Sequence, residues 1–239
     1  MAPVSTQRQL IIVQHDADGP PGTIGATLRE KGVPFAIRHP YAGEDLPAVE
    51  ECSALIVLGG EMNVVDDDRH PWLVAERELL RACLERSVPV LGICLGAQQL
   101  ALAGGGQVYR RDNPEVGWLP IAVKEPVGPF AGLPTTIWAL EWHDYSFHAP
   151  PGARLLAVRP DGEQAFAINH MAWGLQFHPE ITAATLDAWI EEEAHGPLAE
   201  QRRPVLDDLR RQRTAVLRES EGLCRAIVTN FVTPLVVST

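Results

Sequence analysis

VPVLGICLGAQQLALAG, residues 88–104, joins two unlike stretches across a single cysteine. The run from Val88 to Ile93 is mostly apolar and has the length of a buried strand, and AQQLALAG after it suits a helix. Between the two stands Gly92-x-Cys94-x-Gly96. At a strand-to-helix junction this spacing predicts a strained elbow, in which flanking glycines let the backbone approach itself and the central side chain is pushed out above the sheet edge. With 20 glycines and 4 cysteines in 239 residues, chance supplies this pattern roughly 0.03 times, so the arrangement reads as built.

The same alternation extends on both sides. QLIIV (9–13) reads as a short buried strand, HDADGPPG as a loop, TIGATLREKG as a helix ended by Gly32, and VPFAIR as a second strand. ALIVLGG (54–60) is a continuous apolar run closed by two glycines, the mark of a strand covered on both faces. After the acidic run Asp66–Asp68, expected to be solvated, Pro71 can open a helix through residue 86, with Leu73, Leu80 and Leu84 on its apolar stripe. Strands alternating with helices predict an α/β fold with a mostly parallel sheet and helices on both faces. Beyond Gly106 shorter strands take over (WLPIAV, TIWALEW, ARLLAV, EQAFAI, AWGLQF), which predicts a mixed or antiparallel extension of the same sheet. Thr182 can cap a helix over TAATLDAWIEEEA and Pro204 can start another, with a break expected at Arg213, where the apolar stripe is interrupted. Residues 1–239 are expected to form one domain, with 195–239 as a helical C-terminal extension packed on it.

Composition narrows the function. A net charge of -11, from 20 basic and 31 acidic side chains, argues against a nucleic-acid binder. Arg202, Arg203, Arg210, Arg211 and Arg213 read as the solvated face of a helix. The four cysteines form no CxxC pair, so neither a zinc site nor a disulfide framework is expected. No apolar run reaches membrane-spanning length, and the N-terminus MAPVSTQRQL lacks a signal core, so a soluble cytoplasmic protein is expected. No GxGxxG or phosphate loop follows the first strand, and no cofactor or metal is expected.

The chemistry is expected at strand ends. A helix N-terminus aimed at the Cys94 sulfur favours the thiolate, and the N–H of Leu95 is placed to receive an oxyanion. Among eight histidines, the one in QFHPE stands out. His178 and Glu180 are two apart in extended backbone and so share a face, which suits a base held by a carboxylate. Gly59-Gly60 closes another strand, and the Gly60 N–H is a candidate second oxyanion donor.

These residues also carry a resemblance. GICLGAQ (92–98), LGG (58–60) and WGLQFHPE (173–180) resemble the three active-site motifs of the class I glutamine amidotransferases with a Cys-His-Glu triad. PYAGEDLP, DDDRHPWL, PEVGWLPIAV, WHDYSFHAPPGARLLA, EQAF and the Arg-rich tail ending in NF are similar to the stand-alone, GMP synthase-like group of that family. The resemblance covers nearly the whole chain and implies a flavodoxin-like fold. It implies hydrolysis of a glutamine or other γ-glutamyl amide, with Cys94 as nucleophile, His178 as acid and base, and Glu180 orienting it. Gln98, His143 and Asp144 are implied as substrate-pocket residues, and a separate ammonia-accepting synthase is implied as a possible partner. Two positions depart from the pattern. Gly59-Gly60-Glu61 replaces Gly-Gly-Pro, which frees the loop backbone, and WHDYSF lacks the glycine of Trp-His-Gly-Asp-x-Phe in an expected pocket loop. The alternatives are a γ-glutamyl peptide hydrolase, or a non-catalytic redox or regulatory protein that uses Cys94 as a sensor.

Overall fold

A computed structural model of the chain describes residues 8–237, so the expected absence of a signal segment falls largely outside the described residues. Its centre is a nine-stranded sheet in the order β2-β1-β3-β4-β9-β8-β7-β5-β6. The parallel half comprises β1 (Gln9–Val13), β2 (Phe35–Arg38), β3 (Cys52–Val57), β4 (Val90–Ile93) and β9 (Ala172–Leu175). The antiparallel half comprises β5 (Gln107–Val123), β6 (Thr136–His148), β7 (Arg154–Arg159) and β8 (Gly162–Ile168).

The period-two alternation of a strand sorts the apolar residues onto two faces. Leu10, Ile12, Ala54, Ile56, Leu91 and Ile93 point to one side, where α1 (Gly22–Glu30) and the carboxyl half of α5 (Ala199–Val237) cover them. Ile11, Val13, Leu55, Val57 and Val90 point to the other, beneath α2 (Trp72–Glu85) and α3 (Leu95–Ala103). Both faces are therefore dry, which is why these strands read as unbroken apolar runs. Thr182 caps α4 (Ala183–His195) by accepting from the Thr185 N–H, as expected of a threonine at that position. Among the described residues no helix is long and apolar enough to cross a membrane.

Three expectations are corrected. The strands beyond Gly106 are not all short: β5 runs for 17 residues and β6 for 13, and together they form a long hairpin. WHDYSF belongs to β6 and is not a loop. Opposite it the register slips, with Arg110 facing Tyr145 and Glu115 facing His143, so four residues of β5 bulge against Asp144 alone. The C-terminal segment is one helix from Ala199, which neither starts at Pro204 nor breaks at Arg213. Arg213 interrupts the apolar stripe because it forms a bidentate pair with Asp187 of α4, at 2.6 Å through both Nε and Nη2.

That helix belongs to the core. Leu206, Leu209 and Val216 pack with Trp118, Leu140 and Leu186, while Ile227, Val228 and Phe231 reach the sheet face. Phe231 is buried and meets Trp173 of β9 edge-on at 5.8 Å. Phe231→Ala is expected to destabilise the protein by about 3–5 kcal/mol, visible as a lower urea midpoint at unchanged slope.

Candidate active site

β3, β4 and β9 are neighbours in the sheet, and their carboxyl ends deliver Gly59-Gly60, Cys94 and the QFHPE segment to one place. The turn between β4 and α3 is as tight as the glycines suggest. A Cβ at Gly96 would lie 2.2 Å from the Val57 carbonyl oxygen, and one at Gly92 would lie 2.6 Å from the Gly96 oxygen. Without those side chains the Gly96 N–H reaches the Leu58 oxygen at 3.1 Å, and the Cys94 N–H reaches Leu175 O at 2.7 Å. Cys94 is held at φ 49°, ψ -106°, a conformation costly for any residue with a Cβ, and its side chain opens into a cavity of about 360 Å³.

His178 and Glu180 meet Cys94 there. The His178 N–H is anchored on Leu140 O of β6 at 2.9 Å, and Glu180 O accepts the Thr23 N–H at the start of α1, also at 2.9 Å. These backbone ties leave His178 Nδ1 at 2.8 Å from Glu180 Oε1, with Trp189 edge-on to the ring at 5.0 Å. Burial alone would push the imidazole toward its neutral form. The Glu180 carboxylate and the Cys94 sulfur outweigh it and raise the His178 pKa well above the ordinary value. Gln176, two residues before His178, donates from Nε2 to Cys94 Sγ at 3.6 Å. The two-residue spacing that marks His178 and Glu180 in the sequence extends back to Gln176, so the alternation that finds the pair could have found this residue as well.

The expected oxyanion donors are free. The N–H groups of Gly60 and Leu95 have no protein acceptor among the described residues, and both residues line the cavity. The departure at Glu61 does not loosen this loop, because Asp16 Oδ2 accepts the Glu61 N–H at 3.1 Å, a bond that proline could not make. Glu61 also brings charge to the mouth. Burial, then the neighbouring Asp16, Glu192 and Asp18, raise its pKa above the usual carboxylate value.

The three residues implied as pocket residues all line the cavity, and each has other commitments. Gln98 donates to Tyr145 O at 2.9 Å and to Gln176 Oε1 at 3.3 Å. Asp144 accepts from Arg202 Nη2 at 3.2 Å, and Arg202 also holds Glu193 at 2.7 Å. Arg202 is only 12% exposed, so it departs from the solvated face expected for the arginine cluster and forms part of the pocket wall.

His143 uses both ring nitrogens. Nδ1 faces the Tyr145 carbonyl at 2.9 Å, while Nε2 faces Glu141 at 2.9 Å and Glu115 at 3.1 Å. Since all three partners accept, the ring must donate from both sides and is an imidazolium. Burial opposes that charge, but Glu115 and Glu141 overcome it and hold the pKa at about 9. Glu115 is held at about 2, where His143, Arg111 and Arg159 outweigh its own burial. The ligand atoms of Glu115, Glu141 and His143 lie within 4.8 Å of one another, close enough for a metal ion. Arg111 and Arg159 already compensate Glu115 at 3.5 and 2.9 Å, and His143 pairs with both carboxylates, so this donor set suits an internal ion network better than a metal.

A histidine whose folded pKa is raised stabilises the fold fully below its unfolded pKa, 6.5, and loses that contribution as pH climbs through about 9. Unfolding free energy is therefore expected to fall between those limits by up to about 1.4 kcal/mol per pH unit from this group. In His143→Gln that alkaline slope should be shallower, as read from urea melts across the window.

The sequence model of the glutamine amidotransferase class-I family matches residues 23–194. A crystal structure of a glutamine amidotransferase from Thermotoga maritima superposes with a TM-score of 0.81 at 30% identity, covering 95% of this chain and 99% of that one. The glutamine amidotransferase of Methylobacillus flagellatus gives a TM-score of 0.82 at 26% identity, covering 95% and 94%. A glutamine-hydrolyzing GMP synthase subunit of Methanococcus maripaludis is 31% identical over 142 residues, 58% of this chain and 70% of that protein. The GMP synthase of Listeria innocua is 31% identical over 185 residues, but the match spans only 33% of its length.

Proposed function

Because the chain belongs to the class I glutamine amidotransferase family, we propose that it hydrolyses the side-chain amide of glutamine through a Cys94 thioester. The observation that carries this reading is the convergence of an elbow cysteine, a carboxylate-held histidine and two free backbone N–H groups on one cavity.

In the proposed cycle Cys94 Sγ attacks the carboxamide carbon, and the oxygen, now negative, is held by the N–H groups of Gly60 and Leu95. The imidazolium of His178 gives its proton to the departing nitrogen as the C–N bond breaks, leaving a γ-glutamyl thioester and ammonia. Neutral His178 then takes a proton from water, whose oxygen attacks the thioester carbon, and glutamate leaves as the sulfur is released. Glu180 holds the ring's Nδ1–H throughout, so Nε2 is the working nitrogen. Gln176 steadies the sulfur with its amide hydrogen. His143 and Arg202 are fixed positive charges of the cavity wall, and Gln98 and Asp144 border the substrate.

Relatives that are themselves subunits of a GMP synthase support the idea that ammonia passes to a separate synthase. A second reading, hydrolysis of γ-glutamyl conjugates of larger amines, is favoured by the acidic mouth of Asp16, Glu61 and Glu192, which suits a cationic leaving amine. Measuring ammonia from glutamine against free amine from γ-glutamyl amides separates the two. Cys94→Ala is expected to abolish both activities, and a chloroketone analogue of glutamine should label Cys94 stoichiometrically by mass spectrometry. Full hydrolysis by Cys94→Ala would refute the mechanism. Glu180→Gln is expected to lower kcat by about 10²-fold or more, since the ring loses the charge that supports its imidazolium.

A further inference from the structure

β1 lies beside β3 in the sheet, and His15 and Asp16, two and three residues beyond its end, reach under the loop that carries Gly59 and Gly60. His15 is fully buried and stacks on Trp72 at 5.2 Å. Its Nδ1 lies 3.1 Å from the carbonyl oxygen of Gly59, and its Nε2 lies 2.7 Å from Glu76 Oε2, on α2. A carbonyl oxygen can only accept, so Nδ1 carries a hydrogen. Glu76 is itself fully buried, and its other oxygen has no partner among the described residues, so the carboxylate depends on the His15 ring.

The bond from His15 lands on one particular peptide unit. The Gly59 carbonyl and the Gly60 N–H belong to the same planar amide, and in the trans form they point in opposite directions. Gripping the oxygen from beneath aims the hydrogen away from His15, toward the cavity that Gly60 lines. A donor on the carbonyl also shifts electron density within the amide and makes its N–H a stronger donor, an effect of about 10–30% per bond in a hydrogen-bonded chain. Asp16 fixes the other end of the same loop through the Glu61 N–H.

We propose that His15, backed by Glu76, is a positioning residue that orients and polarises the Gly59–Gly60 peptide as an oxyanion donor. The assignment rests on the cysteine mechanism proposed above and adds a relay from Glu76 through His15 and the Gly59 carbonyl to the Gly60 N–H. The Glu76 carboxylate, and the carbonyl on the ring's far side, raise the His15 pKa against the burial that lowers it, consistent with a ring that donates from both nitrogens. The relay gives the oxyanion site a positive end without placing a charged side chain in the cavity. It would act only once negative charge develops on the substrate oxygen, so its contribution belongs to the transition state.

The test compares the wild-type protein with the double variant His15→Phe, Glu76→Leu, which replaces both buried partners by apolar groups and avoids leaving either one unpaired. Expected results are a kcat for glutamine lowered about tenfold or more at nearly unchanged KM, and an unchanged rate of Cys94 alkylation by iodoacetamide, which needs no oxyanion site. With ¹⁵N-glycine labelling, the Gly60 amide resonance should move upfield in both dimensions. Glu76→Gln, which keeps the ring and its bond to Gly59, serves if the double variant does not fold, and should show smaller changes in the same directions. An unmoved Gly60 resonance, or an unchanged kcat, overturns the assignment. A wild-type protein that releases neither ammonia nor amine refutes the proposed function instead, and the Gly60 resonance then decides alone whether His15 governs this peptide.

Discussion

α3 rests on β3 backbone to backbone, and the site is built outward from that contact. With no side chain at Gly96, the helix backbone sits directly on the Val57 and Leu58 peptides, and the first turn of the helix is drawn down to the sheet edge. Only from there can the strand before it turn sharply enough to leave Cys94 at a positive φ above the sheet. Everything else at the site is arranged around that fixed sulfur. β3 and β9 flank β4, so their ends meet it without any long loop. His178 and Glu180 are then held by backbone bonds to β6 and α1, and do not rely on side-chain packing alone.

How much of this was legible in the sequence depends on how local the signal is. The elbow is legible because its constraint, two missing side chains around one cysteine, lies within five residues. The His178–Glu180 pair is legible because extended backbone puts alternate side chains together. The parallel half of the sheet follows from runs that must be apolar on both faces. The ion network around His143 was legible only in its Glu141 arm, which has the same two-residue spacing, because Glu115 and Arg159 join it from other strands. Arg202 illustrates the same limit. Its helical position resembles that of Arg203 or Arg210, and only the place where α4 and β6 come together distinguishes it.

The helix after α4 shows why local breakers mislead. Pro204 and Arg213 both interrupt a helical pattern, yet the helix continues because two separate apolar clusters hold it, one on either side of Ser220. Burial of apolar residues from Leu206 to Val232 outweighs the N–H missing at Pro204 and the charged interruption at Arg213. The structure also explains Glu61. A residue with an N–H at that position lets Asp16 tie the loop, so a feature that looks like lost rigidity is a different attachment.

The four cysteines differ in one respect that bears on how this protein ages. Cys52, Cys83 and Cys224 are wholly enclosed in the core, and burial pushes the first two thiols up to about 11 and about 12 and the third well above the ordinary value. Cys94 alone opens to the cavity. Peroxide or disulfide reagents therefore find one sulfur and spare the other three. Under the proposed mechanism, oxidation of Cys94 would silence the molecule while leaving it folded, and a native-looking preparation would be no guarantee of a competent one.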